Sequence, residues 1–439
     1  MPGADVEMVK NIFVVGLEPF NQRLLEGVRG APDYRFYNLL DVRAVAALGP
    51  FDIPALLHAA HDTLDRFEEP VDAIVGYWDF PTQMLLAVLR ADRGLRGPSL
   101  EAVMRSEHKY WARIEQSRID PEVVPAFAPF DPFGAGAART PPLPYPFWLK
   151  PVKSHSSLLG FRIDDAGDLV EAVGALRRGI HIFSEPLAIF LRRAELPPAV
   201  AEAPAHLCIA EAIVSHGRQY TLEGWVQGGR AEIYGVVGSV RGPNHSSFER
   251  YEYPAEVAPA VAADMSEIAQ RVAERTGLDD TPFNIEFFHD PAQDRLWLLE
   301  LNVRISKSHS PLFEKVTGRS QGEVMIDVAL GRRPNYPPEA GRFRYAAKFM
   351  PRVYGKRDDA VVTRVPPRAE LDELEARFPG TDIEMHLEEG MRLGDIRHRD
   401  SYSYELATIF MGAQRRADLH EMYRRCRAAL NVHVDGERV

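Results

Sequence analysis

The sequence predicts a mixed α/β protein with two or three domains. Short apolar strands alternate with helices over the first hundred residues, which is typical of a parallel sheet covered by helices. Antiparallel hairpins follow in the middle of the chain, and a mixture of strands and helices closes it. The length of 439 residues exceeds what one hydrophobic core usually supports, so several domains are expected.

Composition argues against several classes of function. The formal net charge of −11 argues against general nucleic-acid binding, which needs a basic surface. The two cysteines, Cys208 and Cys426, lie far apart and provide neither a disulfide framework nor a zinc site. No apolar run approaches the ~20 residues that span a bilayer, and the N-terminus does not resemble a secretory signal. We therefore expect a cytoplasmic protein without nucleic-acid or membrane partners.

Strand–helix alternation fills the first hundred residues. A strand is predicted at 11–16, and helices are predicted at 21–28 and 53–67. A second buried strand ends at Asp79, and a helix runs from there to about residue 93. Ligands of such sheets lie at the carboxyl ends of the strands, so Asp79 is a candidate substrate contact. A helix N-cap or a turn aspartate is an equally good interpretation.

A connecting region separates this part from the next one. A helix is predicted over 99–117, and it carries Lys109 and Arg113 four residues apart on one face. The simplest interpretation of this pair is a solvated basic stripe. The region 121–146 contains eight prolines and several small residues, which predicts a loop or linker.

A polar turn follows the next predicted strand. The strand covers 147–150 and ends on Lys150, and the turn KSHSS occupies 153–157 before strand-like residues resume at 158 or 159. Hydroxyls, backbone N–H groups and a lysine are a usual means of holding a triphosphate, although a plain turn fits as well. The later elements predicted from periodicity and turn residues are strands at 207–214 and 344–350, a hairpin around 228–229, and helices at 258–276, 321–330 and 417–430.

A hairpin with acids on one face is the most informative segment. Strand-like residues flank the polar turn HDPAQD at 289–294. Because side chains alternate along a strand, Glu300 and Asn302 share one face, as do Glu286 and Asn284. Two carboxylates that crowd each other on a sheet need a compensating cation. Mg²⁺ shared with substrate phosphates fits this arrangement, and a solvated hairpin with ordinary surface acids is the alternative.

In this order the segments resemble the ATP-grasp superfamily over roughly residues 99–330. The hairpin matches the family pattern E…E-x-N-x-R, which supplies its metal ligands and its arginine. The lysine in the predicted 99–117 helix and the lysine of the WLKP strand resemble the two phosphate lysines, and EAIV resembles the adenine hinge. The residues that carry the resemblance are Lys109, Lys150, Glu211 to Val214, Glu286, Glu300, Asn302 and Arg304.

The resemblance implies a three-lobed ATP-grasp fold with an N-terminal Rossmann-like pre-domain. The first hundred residues and the C-terminal portion fit the family more loosely than the middle does. The implied division is a pre-domain at 1–120, a Pro-rich connection at 121–146, a nucleotide-binding core at 147–335 and a C-terminal lobe at 336–439 that completes the substrate site.

The resemblance also implies an activity. An ATP-dependent carboxylate–amine ligase activates a carboxylate as an acyl phosphate and joins it to an amine, releasing ADP and phosphate. ATP and Mg²⁺, with Mn²⁺ as an alternative metal, would be the cofactors, small-molecule carboxylates and amines would be the partners, and a homodimer is left open. The implied roles are catalysis for Lys150 and Arg304, nucleotide binding for Lys109, Lys150, Glu211, Ile213, Val214 and Gln219, and metal binding for Glu286, Glu300 and Asn302.

The chain departs from the family pattern in two places. The phosphate loop usually contains several glycines, whereas SHSSLLG contains only Gly160. Gln219 is the nearest counterpart of a glutamate that commonly contacts the ribose. Serine hydroxyls and a glutamine amide can replace these contacts. For Arg304, a structural salt bridge to the hairpin acids is the alternative to a substrate contact.

Two other functions stay open. The string ELNVRISKSHSPLFEKVTG resembles biotin carboxylases, in which a glutamate just before the histidine deprotonates bicarbonate. Here Ser308 precedes His309, and a serine does not easily act as that base. A non-catalytic ATP-binding sensor is the second alternative. Weaker candidates for substrate contacts are His309, Ser310, Arg241, His245 and the stretch RHRDSYSYE at 397–405.

Overall fold

The computed structural model describes residues 9–46, 50–154, 158–214, 217–243, 247–336, 341–396, 398–400 and 403–439. Helices and strands both run through these segments, and the strands form five sheets. The predicted mixed α/β class is therefore correct. Every helix in these segments is too short or too polar to cross a membrane.

The chain begins with a parallel sheet covered by helices. The elements are β1 (Lys10–Val15), α1 (Pro19–Glu26), β2 (Tyr34–Leu40), α2 (Val42–Val45), α3 (Ile53–Asp65), β3 (Ala73–Val75) and α4 (Thr82–Asp92). The strand order is β2-β1-β3, and both pairings are parallel. The strands predicted around β1 and β3 and the three predicted helices are confirmed, whereas β2 was not predicted.

The helix predicted over 99–117 is in fact two helices. α5 covers Leu100–Glu107 and α6 covers Lys109–Ile119. Between them His108 has an extended backbone with φ −79° and ψ 99°, and its Nδ1 accepts a hydrogen bond of 3.2 Å from the N–H of Trp111. The histidine thus caps α6, which a periodicity of apolar residues does not reveal. As a consequence Lys109 stands in the first turn of a helix.

A four-stranded antiparallel sheet follows. The elements are β4 (Phe127–Phe130), β5 (Phe147–Pro151), β6 (Phe161–Ile163), α7 (Ala166–Gly179), α8 (His181–Leu191), α9 (Pro198–Ala201) and β7 (Cys208–Ala212). The strand order is β4-β7-β5-β6. The prediction of a plain loop for the whole region 121–146 is wrong, because β4 pairs with β7. β4 is an edge strand, where Pro129 is tolerated because one side of the strand needs no hydrogen bonds.

Antiparallel hairpins form the central sheet. The elements are β8 (Arg218–Gln227), β9 (Arg230–Arg241), β10 (Phe248–Tyr253), α10 (Pro259–Thr276), β11 (Thr281–Asp290), β12 (Arg295–Asn302), α11 (Ser310–Thr317) and α12 (Gln321–Ala329). The predicted hairpins β8–β9 and β11–β12 are confirmed. α10 ends as predicted at Gly277, whose φ of +74° is a conformation that glycine adopts without strain.

The C-terminal part extends the central sheet. Its elements are β13 (Tyr345–Phe349), β14 (Arg352–Tyr354), β15 (Val362–Arg364), α13 (Arg368–Arg377), β16 (Asp382–Met385), β17 (Ser403–Glu405), β18 (Ala407–Ala413), α14 (Arg416–Ala429), β19 (His433–Val434) and β20 (Glu437–Arg438). The eight-stranded order is β12-β11-β8-β9-β10-β13-β18-β16. The sheet therefore crosses the predicted boundary between residues 335 and 336, and the four-part division of the chain stays a prediction.

One hydrophobic core holds the first sheet against the central hairpin. It includes Phe13 on β1, Met104 on α5, Phe283 on β11 and Leu298 on β12, all of them buried. Because these side chains share one core, the loop after β3 and the helices α5 and α6 are fixed next to the acidic face of the hairpin.

Candidate active site

The hairpin β11–β12 brings the predicted acidic residues face to face. Glu286 is directly opposite Glu300, and Asn284 is directly opposite Asn302. A β-bulge follows immediately between Glu286 and Phe287. Bulges commonly re-aim side chains next to functional sites. The structure thus places all three predicted metal ligands on one face of a single hairpin.

Glu286 carries more negative charge than its protein surroundings neutralise. Burial and the neighbouring carboxylate of Glu300 raise the pKa of Glu286 to about 7. Its Oε2 accepts a hydrogen bond of 2.9 Å from Nε2 of Gln219. Burial and the second carboxylate thus outweigh Arg241 and Arg304, which lower the pKa, and a divalent cation would stabilise both ionised acids. The residues present therefore fit the Mg²⁺ ion that the resemblance implies.

Lys109 lies at this same edge of the hairpin. Its ammonium is 2.9 Å from Oε1 of Glu300, and the lysine side chain is only 12% exposed. Burial opposes ionisation of Glu300, but Lys109 and Lys150 outweigh it and lower the pKa of Glu300. The two hairpin acids therefore differ: Glu300 is paired with a lysine, whereas among the described residues the charges of Arg241 and Arg304 only partly offset the burial of Glu286.

The amide of Asn302 is oriented by its neighbours on the hairpin. Its Nδ2 donates to Oδ1 of Asn284 at 3.0 Å, and Nδ2 of Asn284 donates to the backbone oxygen of Arg304 at 2.9 Å. The amide oxygen of Asn302 is consequently turned away from Asn284. An amide oxygen held in this way is a suitable ligand for a hard cation.

Lys150 and Glu211 form the second charged centre of the site. The ammonium of Lys150 is 2.5 Å from Oε2 of Glu211, whose Oε1 accepts a 2.6 Å hydrogen bond from Nε of Arg113. Burial opposes ionisation here as well, but Arg113 and Lys150 lower the pKa of Glu211 to about 2. Glu211 is thus a permanently ionised acid between two cations.

The interpretation of Arg113 as part of a solvated stripe is wrong. Its side chain is 4% exposed, and it also donates to the backbone oxygens of Leu298 and Leu299 at 2.8 and 2.7 Å. Arg113 therefore ties α6 to β7 and to the hairpin β11–β12. Its charge sits in a helix whose residues Trp111 and Ala112 are also buried, so the helix has no simple polar face.

Arg304 forms its ion pair with Asp79, and its positive charge also lowers the pKa of Glu286. Its Nε and Nη2 lie 2.8 and 2.7 Å from Oδ1 of Asp79, in the loop that follows β3. The alternative of a salt bridge to the hairpin acids is therefore not what the structure contains. The pairing also connects Asp79, a candidate substrate contact, to the arginine of the family pattern.

The other residues predicted to bind the nucleotide lie around the end of β7 and on β8. Ile213 and Val214 follow β7 and are half-buried. Gln219 is buried, and while its Nε2 donates to Glu286, its Oε1 accepts from Nε of Arg241 at 3.0 Å. The roles given to these residues stay predictions. His155, Ser156 and Ser157 of the phosphate turn, His245, and Arg397, Ser401 and Tyr402 lie outside the described residues.

Two buried pairs near the site were not predicted. Glu107 and Lys153 form an ion pair of 2.7 Å, and the other oxygen of Glu107 accepts from the N–H of Val303 at 3.1 Å. Glu223 and His309 meet at 2.7 Å, and Glu223 is completely buried. The sequence did contain a signal for both pairs. Glu223 in β8 and Glu107 in α5 are charged residues within apolar stretches, and a buried charge needs a partner.

The weaker substrate candidates occupy defined positions. His309 is buried against Glu223 at the start of α11, so its imidazole does not face solvent. Oγ of Ser310 donates to Oε1 of Gln321 at 2.9 Å. The guanidinium of Arg241 lies over the rings of Phe248 and Phe288. Each of these three candidates thus has a partner within the protein, and their roles as substrate contacts stay predictions.

Comparison with known proteins identifies relatives of part of the chain. The family described as carbamoyl-phosphate synthase L chain, ATP binding domain, matches residues 253–335. The carbamoyl phosphate synthase large chain of Thermotoga sp. (strain RQ2) is 29% identical over 186 residues, which make up 41% of this chain and 16% of that protein. The chain thus spans only a small part of the length of this curated relative.

Solved structures match nearly the whole chain. The L-amino acid ligase from Bacillus licheniformis superposes with a TM-score of 0.69 at 16% identity, covering 98% of this chain and 99% of that one. The biotin carboxylase domain of the Hydrogenobacter thermophilus 2-oxoglutarate carboxylase, a dimer with MgADP, ADP and bicarbonate, superposes with a TM-score of 0.62 at 14% identity. It covers 97% of this chain and 91% of that one. At these identities the likeness establishes a common fold.

Proposed function

We propose a function from the premise that this chain has the ATP-grasp fold. The family match to residues 253–335 and the structural match to nearly the whole chain support this fold. The three-lobed fold with a Rossmann-like pre-domain, expected from the sequence, is confirmed on that basis. The function proposed is that of an ATP-dependent carboxylate–amine ligase. It forms a C–N bond and releases ADP and phosphate.

The observation that carries this proposal is the pair of facing carboxylates on the hairpin. Glu286 and Glu300 are directly opposite each other, and the raised pKa of Glu286 reports a deficit of positive charge. Glu286, Glu300 and Asn302 would hold Mg²⁺. An ion held by these three residues would supply positive charge next to the phosphates during phosphoryl transfer.

Lys109 and Lys150 are proposed to bind the phosphates of ATP. Both ammonium groups lie at the acidic edge of the site, on Glu300 and Glu211 respectively. Their positive charges would stabilise the transferring phosphoryl group as its leaving oxygen gains charge. The adenine ring is assigned to the chain end of β7 at Ile213 and Val214, where backbone groups can read its edge.

Arg304 is proposed to position the carboxylate substrate. Its guanidinium is planar and presents N–H donors in a fixed fork. Asp79 accepts from Nε and Nη2, and the backbone oxygen of Ile305 accepts from Nη1 at 3.2 Å, so the second N–H groups of Nη1 and Nη2 would hold the substrate. A carboxylate oxygen held there attacks the γ-phosphorus of ATP, ADP departs, and an acyl phosphate remains. The amine then attacks the acyl carbon, phosphate leaves with the C–O bond electrons, the nitrogen loses a proton to the departing phosphate or to solvent, and an amide forms.

The carboxylase alternative is not favoured. Ser308 stands where a carboxylase needs its base, and its Oγ accepts a 3.3 Å hydrogen bond from the ammonium of Lys348. A hydroxyl that accepts from an ammonium is a poor proton acceptor for bicarbonate. The positive charge of Lys348 also lowers the basicity of this hydroxyl, because the oxygen lone pair accepts the hydrogen bond from the ammonium.

A phosphate-release screen tests the proposed function. The whole chain is incubated with ATP, Mg²⁺ and a matrix of carboxylates against amines, with bicarbonate as one carboxylate, and both phosphate and pyrophosphate are measured. Phosphate and ADP that depend on one carboxylate and one amine support the ligase. Pyrophosphate with AMP would instead mean adenylation, release with bicarbonate alone would mean carboxylation, and tight ATP binding without turnover would mean a sensor.

Three substitutions separate the proposed roles. Glu300→Ala should abolish Mg²⁺-dependent turnover, and a near-normal kcat would contradict the metal assignment. Lys150→Ala should weaken ATP binding. The control Lys356→Ala removes a half-buried lysine that is paired with Glu437 at 2.8 Å, and it should leave ATP binding unchanged. Arg304→Ala should raise the KM of the carboxylate substrate more than that of ATP. An effect confined to the KM of ATP would contradict the assignment of Arg304.

A further inference from the structure

A buried carboxylate–imidazole pair lies on the same face of the central sheet as the acidic hairpin. Glu223 on β8 is directly opposite Asn284 on β11, which in turn is directly opposite Asn302 on β12. Directly opposite residues of antiparallel strands point to the same face of a sheet. The side chain of Glu223 is therefore two strands away from a proposed metal ligand and on the same side of the sheet.

Helix α11 brings His309 onto this carboxylate. Gly235 on β9 is opposite Glu223, and a Cβ atom at Gly235 would lie 2.4 Å from a ring carbon of Phe313. The absence of a side chain at Gly235 lets α11 pack directly on the sheet. His309, at the start of α11, then places its Nδ1 atom 2.7 Å from Oε1 of Glu223.

The carboxylate selects one tautomer of the imidazole. Glu223 is completely buried, and among the described residues His309 is the only hydrogen-bonding partner of its side chain, because Oε2 of Glu223 has none. An ionised carboxylate accepts a hydrogen bond, so Nδ1 of His309 carries the proton and Nε2 presents its lone pair. A positive charge on the imidazole would also neutralise this buried carboxylate, which has no other cation at ion-pair distance in the described part of the chain.

Nε2 of His309 is the unused atom of the pair. It makes no hydrogen bond to a described residue, and the ring of Tyr251 lies edge-on to the imidazole with centroids 4.8 Å apart. The side chain of His309 is shielded from bulk solvent, since it is only 6% exposed. Nε2 is nevertheless not fully enclosed. Among the described residues, the enclosed side-chain atoms without a partner are Oγ1 of Thr82, Nε1 of Trp111, Oε2 of Glu223 and Oγ1 of Thr381.

The charges of the pair and of the proposed site act on each other. Burial opposes the charge of Arg304, but Asp79 and more distant acids that include Glu223 raise its pKa. Burial and then the carboxylate of Glu286 raise the pKa of the Tyr251 phenol, whose ring lies against the imidazole. The pair is therefore close to the arginine proposed to hold the carboxylate substrate and to the acids proposed to hold Mg²⁺.

We propose that His309, oriented by Glu223, accepts the proton that the amine substrate loses when the amide forms. This inference rests on the proposed ligase function and assigns a residue to one of its steps. As the amine nitrogen bonds to the acyl carbon, one N–H proton moves to Nε2 of His309, and the C–O bond breaks with its electrons on phosphate. The imidazolium, stabilised by Glu223, then gives this proton to the departing phosphate, which regenerates the neutral histidine.

Hydroxylamine is a probe that separates this step from the formation of the acyl phosphate. It is unprotonated at neutral pH and attacks acyl phosphates without a base, whereas an ordinary amine is largely an ammonium ion and must lose a proton. The full chain and its variants are incubated with ATP, Mg²⁺ and each carboxylate of the phosphate-release screen. One set of reactions contains hydroxylamine and the other contains the amines of that screen, and the hydroxamate and the amide are measured.

His309→Gln should lose amide formation selectively. Because a positioned base contributes about 10²–10⁴-fold, amide formation should fall at least ~100-fold while hydroxamate formation stays within about threefold of the parent protein. Glu223→Ala should show the same selectivity with a loss of at least ~10-fold, because the imidazole loses the group that orients it. The control His420→Gln removes another histidine that contacts a glutamate, Glu252 at 2.9 Å, and should leave both reactions unchanged.

The two reactions also separate the ways in which the inference can fail. Equal losses of amide and hydroxamate in His309→Gln would overturn it, because they would show that His309 only supports the structure of the site. Undiminished amide formation in that variant would overturn it as well. A parent protein that forms neither product with any carboxylate would overturn the proposed ligase function itself. Thermal melting checks that each variant is folded, and Glu223→Ala decides the outcome if His309→Gln does not fold.

Discussion

Glu286 should destabilise the metal-free protein, and its replacement should show this. In Glu286→Gln the amide oxygen can still accept the hydrogen bond from Gln219, whose Nε2 now lies 2.9 Å from the carboxylate. The substitution therefore removes the charge with little change of shape. We expect the metal-free variant to be more stable than the parent protein at pH 8.

The magnitude follows from the pKa of Glu286. Its usual value of 4.5 rises to about 7 in the folded protein because of burial and the charge of Glu300. The folded state therefore binds more protons than the unfolded state between these values, and stability falls as pH rises through that window. A difference of about 2.5 pH units corresponds to about 3 kcal/mol at most. Solvent screening of this partly exposed residue lowers the expected gain to about 1–3 kcal/mol.

Hydrogen exchange of peptides covering β11 and β12 measures this local stability. At pH 8 without Mg²⁺ the Glu286→Gln variant should exchange more slowly than the parent protein, and at pH 5 the gain should fall below about 1 kcal/mol. Saturating Mg²⁺ should slow exchange in the parent protein but not in the variant. At a Mg²⁺ concentration a hundred times the Kd of Mg²⁺, the local stability of the parent protein should rise by about 2.7 kcal/mol.

Glu300→Gln is the matched control with the opposite sign. Its carboxylate is paired with Lys109 at 2.9 Å, and the pKa of Glu300 is lowered. Removing this charge leaves a buried ammonium unpaired, so the metal-free variant should lose stability at pH 8. The reasoning fails if Glu286→Gln is the less stable protein at pH 8 without Mg²⁺, or if both substitutions change stability in the same direction.

Three further substitutions test the supports of the site. Asp79→Asn weakens the ion pair that positions Arg304. It should raise the KM of the carboxylate substrate, while the Kd of ATP, measured by equilibrium binding, should stay constant. Glu223→Ala removes the partner of His309 and should lower kcat/KM at least ~10-fold, whereas Glu223→Gln, whose amide oxygen can still accept, should recover most of it; equal losses would contradict this. Arg113→Met should destabilise the protein by about 3–5 kcal/mol in denaturant unfolding, whereas Arg118→Met, on a side chain 54% exposed, should cost less than about 1 kcal/mol.

The acidic hairpin could be predicted because its information is local. Alternating apolar residues and a polar turn fix the pairing of β11 with β12 within about twenty residues of sequence, and the register then places Glu286 opposite Glu300. Lys109 and Lys150 could be assigned to the same site only through the resemblance to a family. Nothing in their own sequence segments indicates that they lie next to the hairpin.

The supporting contacts could not be predicted because they join distant segments. Arg113 and Glu211 are 98 residues apart in sequence, and Asp79 and Arg304 are 225 residues apart. Their pairing depends on how α6 and the loop after β3 pack on the central sheet. Helical periodicity shows only that Lys109 and Arg113 share a face, and it does not show whether that face is buried.

The charged pairs of the site would let each lysine exchange its carboxylate for a phosphate of ATP without leaving a buried acid unpaired. If Lys109 binds a phosphate as proposed, it would leave Glu300, and that carboxylate would be free to help hold Mg²⁺ with Glu286 and Asn302. When Lys150 leaves Glu211, the 2.6 Å contact with Arg113 remains. A buried carboxylate that lost its last cation would cost several kcal/mol. Without Arg113 the acid would hold Lys150 more strongly, so Arg113→Met should weaken ATP binding in protein that is still folded. An unchanged Kd for ATP in that variant would show that Lys150 and Glu211 separate without the help of Arg113.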